Sequence, residues 1–172
     1  ICDGKVLDVS DFYCKTHEVV VSHKTKDGRK FIIRYGELAP DSIKVKVGEE
    51  IKQKTTIGKT GKLLKYLSKT KKYVPLMTIG DEIVFMLHFE HFTGSKGLDL
   101  KESLSNGVKP FCRRSDLIDS LSILQEGYNN TFGNRSEVNN QSSKDFTEHD
   151  ARLALMKIYD LYGVEMAKTV EC

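Results

Sequence analysis

Between residues 5 and 61 the apolar residues arrive in short β-branched or alternating runs, and Gly, Pro or Asp-Gly signals interrupt them every eight to twelve residues. A chain punctuated in this way has no length for long helices and must bury its apolar residues between short antiparallel strands. Residues 5–9 and 17–23 read as strands, the second carrying Val19-Val20-Val21. Lys26-Asp27-Gly28-Arg29 holds an Asp-Gly hairpin signal, and residues 30–38 return as the next strand. Pro40-Asp41-Ser42 breaks the chain, residues 43–47 alternate in strand fashion, and Gly48-Glu49-Glu50 turns into residues 51–53.

The most apolar run, residues 85–92, reads as a buried strand. Side chains alternate across a strand, so Met86, His88 and Glu90 share one face and Phe85, Leu87, Phe89 and His91 the other. A histidine and a carboxylate on one face of a core strand are either a buried structural pair or part of a site. Residues 74–79 supply a further strand. Residues 62–69 read as one or two helical turns or as a lysine-rich loop.

After residue 112 the pattern changes. Ser115-Asp116 begins a helix through Leu117, Ile118, Leu121 and Leu124, ending at Gly127. Residues 128–146, rich in Asn, Ser and Gly, read as a mobile loop, with Asn129, Asn134 and Asn140 in glycosylation-type triplets. Thr147 opens another helix, on which Leu155, Ile158, Tyr159, Tyr162 and Met166 make one apolar stripe. The expected architecture is a mainly β domain over 1–112, an antiparallel sandwich or open barrel, with α-helices packed against it from an extension over 113–172.

Composition mainly excludes. Hydrophobic residues at 39% and charged residues at 30% are an ordinary globular balance, and no apolar stretch approaches a membrane span. A net charge of +3 gives no reason to expect a nucleic-acid partner. The run 59–72 holds six lysines, with Tyr66 inside it and Tyr73 directly after it; it suits an anionic polymer, or simply a solvated face. Cys2, Cys14, Cys112 and Cys172 allow three pairings or remain thiols, and no Cys-x-x-Cys pair marks a structural zinc cluster. The chain opens at Ile1 without an initiator methionine or a signal-peptide pattern, as a processed chain or a piece of a longer one does.

Three segments, in order, resemble the LytM/lysostaphin-type zinc peptidases, which cut peptide bonds in bacterial cell walls. Asp3-Gly4-Lys5-Val6 is similar to the family's early "dGkV" strand. Val19 to His23, Asp27-Gly28 and Ile33-Arg34-Tyr35-Gly36-Glu37-Leu38 resemble its "V-x-I-x-H-x-x-G … Y-a-H-L" hairpin. Val45 to Gln53, Ile57-Gly58, Thr60-Gly61 and Leu87-His88-Phe89-Glu90 are similar to "V-k-V-G-d-x-V-k-q-G-x-x-I-G-x-x-G … H-L-H-F-E".

The resemblance, over residues 3–94, implies the LytM fold (a duplicated hybrid motif), a bacterial or phage origin and a place in the cell envelope, periplasmic, secreted or phage-delivered. It implies peptidoglycan peptides as partners and zinc as cofactor. His88 matches the third zinc ligand. Met86 stands where the family has the first His of His-x-His, and Glu37 where it has the His of Tyr-x-His; the early His…Asp motif falls upstream of Asp3.

A catalytic zinc needs about three protein ligands and an open position for water, and neutral, soft Met86 is a poor one. If other residues complete the site, Glu37 becomes the general base. Tyr35, two residues away and on the same strand face, becomes an oxyanion donor. Glu90 and Met86 then flank His88, with Glu90 orienting it. Arg113 and Arg114 are candidate contacts for peptide carboxylates, with Asp116 as an internal partner instead. Two functions follow: zinc-dependent hydrolysis of a peptide bond in the murein stem or cross-bridge, or a catalytically silent LytM-like module that binds peptidoglycan or activates a separate hydrolase. His23 and His91 read as structural, and His17 and His149 as surface residues.

Overall fold

The Asp-Gly signal does what the sequence asks of it. In the computed structural model, which describes residues 1–105 and 112–132, β2 (His17–Lys24) and β3 (Lys30–Leu38) form an antiparallel hairpin. The Thr25 N–H donates to the Arg29 carbonyl at 2.9 Å, and Gly28 closes the turn at φ 91°, a left-handed value that glycine adopts without steric cost. Val19, Val20, Val21, Ile32 and Ile33 are each at most 1% exposed, so both faces of the hairpin are buried.

The remaining strands are β1 (Gly4–Asp11), β4 (Glu50–Ile51), β5 (Leu64–Leu67), β6 (Lys72–Pro75), β7 (Thr78–Ile79), β8 (Glu82–Ile83), β9 (His88–Phe92) and β10 (Leu117–Ile118), followed by helix α1 (Leu121–Phe132). Six strands make one antiparallel sheet in the order β10-β9-β3-β2-β1-β4, while β5–β6 and β7–β8 are separate two-stranded hairpins. The fold is mainly β and antiparallel.

Cross-strand partners share a face. Ile32 and Phe92, Arg34 and Glu90, and Gly36 and His88 pair on one side; Ile33 and His91, and Tyr35 and Phe89, pair on the other. The first side buries Val20, Ile32 and Phe92 against Leu104. The second buries Phe31 and Ile33 under Ile123 of α1, and Val6, Val19, Val21 and Leu38 under Val45 and Ile51. Residues Ile1–Asn130 form one compact unit that contains β10 and most of α1.

Several elements differ from expectation. Residues 43–47 form no strand: Val45 is buried and Val47 is 58% exposed, so the alternation survives without a ladder. Residues 64–67 are strand rather than helical turn, because Tyr66 and Leu67 find Tyr73 and Lys72 across from them. The run 74–79 splits between β6 and β7. Of residues 85–92, only His88–Phe92 is strand; Phe85, Met86 and Leu87 precede it and are 49%, 38% and 48% exposed.

The helix begins at Leu121, not at Ser115. Asp116 is already committed: its carboxylate takes the Gly94 N–H at 2.9 Å and pairs with Arg114 at 2.7 Å. Leu117 and Ile118 instead extend the sheet beside β9, and Asp119 accepts the Leu121 N–H at 2.8 Å, as a capping residue does. The helix also runs through Gly127 into residues expected as loop. The rest of that loop, the Thr147 helix with its stripe, His149 and Cys172 lie outside the described residues.

Candidate functional site

The site is built where β3 ends. Glu37 has φ 60°, a left-handed value that costs a non-glycine residue on the order of 1 kcal/mol. The segment after residue 57 holds it there: Gly61 N–H donates to the Glu37 carbonyl at 2.6 Å, and Ala39 N–H donates to the Lys59 carbonyl at 2.9 Å. A Cβ on Gly61 would lie 2.8 Å from the Ala39 nitrogen, so only glycine lets this segment close on the strand end. The twist moves the Glu37 side chain off the face it would share with Tyr35 and toward His88.

The loop after β1 covers the same spot. Cys14 and Lys15 both have left-handed φ, and Phe12 N–H donates to the Thr16 carbonyl at 2.8 Å, folding Phe12 and Tyr13 back over the sheet. A Cβ at Gly36 would meet Phe12 Cε1 at 2.7 Å and His88 Cβ at 3.1 Å; the bare glycine is what admits the ring. The Tyr13 hydroxyl donates to Glu37 Oε1. Burial, then that hydrogen bond, pushes the Tyr13 phenol well above its ordinary range, so it stays a donor.

His88 sits between two carboxylates. Its Nδ1 is 3.9 Å from Glu37 Oε1, and its Nε2 lies 3.0 Å from Glu90 Oε1 without the alignment of a hydrogen bond. The Phe12 ring packs edge-on against it at 5.1 Å. Glu90 is shared further: Arg113 Nε donates to Oε1 at 2.5 Å and Arg34 donates to Oε2 at 2.9 Å. Arg34 also faces Glu18 at 3.1 Å, and its guanidinium lies over Phe12. Burial alone would raise the Glu90 carboxyl; contact with His88, then Arg113 and Arg34, outweighs it and brings the group down to about 2. Burial pushes the Glu18 carboxyl up, against the pull of Arg34.

Glu37, His88, Glu90 and Arg113 are therefore together. Three expected members are not. Tyr35 points to the opposite face, where its hydroxyl lies 3.0 Å from Nε2 of His23, because strand alternation holds for Tyr35 and breaks at Glu37. Met86 stands outside the strand and 38% exposed; the aromatic neighbours of His88 are Phe12 and Tyr13. Arg114 is sealed, its side chain 0% exposed and paired with Asp116 at 2.7 Å, so it meets no ligand.

His91 is buried on the far face against Phe31, and His23 is buried with Nδ1 2.9 Å from the Cys2 carbonyl. Cys2 and Cys14 are thiols. Sequence reasoning missed Phe12, Tyr13, Glu18 and Arg34. Arg34 did carry a signal: a charge inside Phe31-Ile32-Ile33-Arg34-Tyr35 needs a buried partner.

Among the described residues no three His, Cys, Asp or Glu side chains converge to hold one ion. Of the two carboxylates nearest His88, Glu90 is bound by both guanidiniums and Glu37 Oε1 by Tyr13. Beside the site, sharing Phe12, lies a cleft of about 390 Å³ lined by Lys15, Thr16, His17, Pro40, Leu64 and Tyr73. No known protein family, no curated protein and no solved structure matches the chain.

Proposed function

We propose that this unit is a LytM-like module of the bacterial cell envelope that binds peptidoglycan peptides without cleaving them. The observation behind the reading is that the carboxylates beside the family-like His88 position are already engaged by other side chains and the imidazole is largely covered. Tyr13 occupies Glu37, Arg34 and Arg113 occupy Glu90, and Phe12 packs on the imidazole. His88 and Arg113 keep side chains 25% exposed, which leaves an imidazole edge and a guanidinium to meet a peptide carboxylate beside the cleft.

The test pairs binding with turnover. Purified sacculi are incubated with the protein, with added zinc and with chelator. Co-sedimentation without release of new amino termini, unchanged by zinc, is expected. Zinc-dependent release that disappears in His88→Ala overturns it.

One observation favours the rival reading, a zinc-dependent peptidase. Glu37 is 2% exposed, held in a left-handed conformation, and its Oε2 is a buried oxygen with no hydrogen-bond partner. Strain and an unmatched carboxylate oxygen collect at reacting centres. Under that reading Glu37→Gln abolishes the zinc-dependent release.

A further inference from the structure

Residues 51–80 contain eight lysines and no aspartate or glutamate. All eight are exposed, and among the described residues only Lys52 is ion-paired, with Asp3. The same region leaves large apolar side chains uncovered. Tyr66, Leu67, Tyr73, Leu76, Phe85 and Leu87 are between 36% and 54% exposed. Two contacts join the parts: Leu76 N–H donates to the Leu63 carbonyl at 2.8 Å, and Lys62 bridges to Phe85, which sets residues 85–87 beside the base of the β5–β6 hairpin.

A solvated lysine face accounts for the charge but not for the leucines and phenylalanine. A nucleic acid would use the lysines and stack bases on the tyrosines. Those rings, however, are turned on each other, 5.2 Å apart and tilted by 55°, and the Lys15 ammonium lies over Tyr73 at 5.2 Å. Lysines on the same hairpin face as exposed Leu67, next to exposed Phe85, instead match a surface whose phosphates overlie hydrocarbon.

We propose that the β5–β6 hairpin and residues 85–87 dock on the surface of an anionic lipid bilayer. Lys65, Leu67 and Lys72 share one face of the hairpin; with Phe85 they meet the bilayer, the lysines at lipid phosphates and the apolar side chains at the acyl boundary, while Tyr66 and Tyr73 stack on the opposite face. Asp81 and Glu82, the only acidic residues between 51 and 89, sit together at the β7–β8 turn, and that turn stays in water. This surface does not rest on the His88 site.

The experiment is co-sedimentation of the full chain with vesicles of phosphatidylcholine alone or mixed equally with phosphatidylglycerol. Inorganic polyphosphate serves as a soluble competitor. Binding to the anionic vesicles only is expected. The triple change Lys65→Glu, Lys69→Glu, Lys72→Glu lowers it by at least about tenfold, since each lysine near an anionic surface matters separately. Leu67→Ser with Phe85→Ser leaves weaker binding that raised salt fully reverses. All these positions are exposed, and circular dichroism with a thermal midpoint confirms that each variant is folded. Equal binding to both vesicle types overturns the proposal. So does the pairing of polyphosphate competition with a Leu67→Ser/Phe85→Ser variant that binds like the parent, which assigns the surface to soluble polyanions.

Discussion

Glu90 is the residue on which most of the buried charge converges, touched by His88, Arg34 and Arg113. Removing this carboxylate takes from Arg34 and Arg113 a partner that they share, and breaking such a buried pair costs about 3–5 kcal/mol. Glu90→Gln is therefore expected to lower the unfolding free energy from urea titration by that amount at pH 7. The pH dependence is set by its pKa, which is about 2 in the folded chain against an ordinary 4.5. A depressed carboxylate contributes stability above the unfolded value and loses it as pH falls. The loss, about 3 kcal/mol, is expected between roughly pH 4.5 and 2.

His23 acts in a different window. Burial, stronger than its hydrogen bonds to carbonyls, lowers it from 6.5 to about 4, so the folded state keeps it neutral where the unfolded state takes a proton. Stability therefore falls, by about 3 kcal/mol, as pH drops from roughly 6.5 to 4. A series of urea midpoints should show two separate declines. His23→Gln should be weaker at pH 7.5 and lack the upper decline; a parent midpoint flat between pH 6.5 and 4 would contradict the assignment.

At the scale of elements, the site depends on one crossing: the Phe12 loop over Gly36 of β3, beside His88 of β9. Gly36→Ala puts a methyl 2.7 Å from Phe12 Cε1 and must expel the ring. The methyl also crowds His88 Cβ across the pair at 3.1 Å, so β9 must give by a few tenths of an ångström, and a stability loss of about 1–3 kcal/mol is expected. The His88 imidazole, already 25% exposed, becomes more accessible, which its reactivity toward diethyl pyrocarbonate reports. An unchanged His88 reactivity in Gly36→Ala would show that Phe12 is not the cover.

Element types were legible where a local signal had no competitor. Asp27-Gly28 and the β-branched run before it gave the β2–β3 hairpin, and alternation gave the correct faces for His88, Glu90, Phe89 and His91. It failed at Glu37, because a left-handed residue reverses the alternation and its cause, Gly61, is remote in sequence. It fails again at 85–87, where apolar side chains are left exposed. Ser115-Asp116 looked like a helix start, but Asp116 serves the Gly94 turn, a use that only the tertiary fold assigns.

For the whole molecule the question is what residues 113–132 do for the sheet. Sequence patterning separated them from the β domain at residue 112, yet within the Ile1–Asn130 unit they finish it. β10 extends β9, Arg113 holds Glu90, the Arg114–Asp116 pair packs under Phe92, and Ile123 closes the cluster of Phe31 and Ile33. Arg29 clamps the helix from the hairpin turn through both oxygens of Glu126, at 2.7 and 2.9 Å. A chain ending at 112 would uncover Phe31 and Ile33 and leave Glu90 with one guanidinium fewer. A chain ending at 132 keeps all of these contacts. The shorter chain is expected to lose cooperative thermal unfolding and the longer one to retain it, as followed by circular dichroism. The point change Ile123→Ala isolates the helix contribution: deleting this 3%-exposed side chain should cost about 2–4 kcal/mol, whereas Leu121→Ala, at a site 67% exposed, should cost well under 1 kcal/mol. If both changes cost the same, α1 does not dock through Ile123, and the β sheet stands without it.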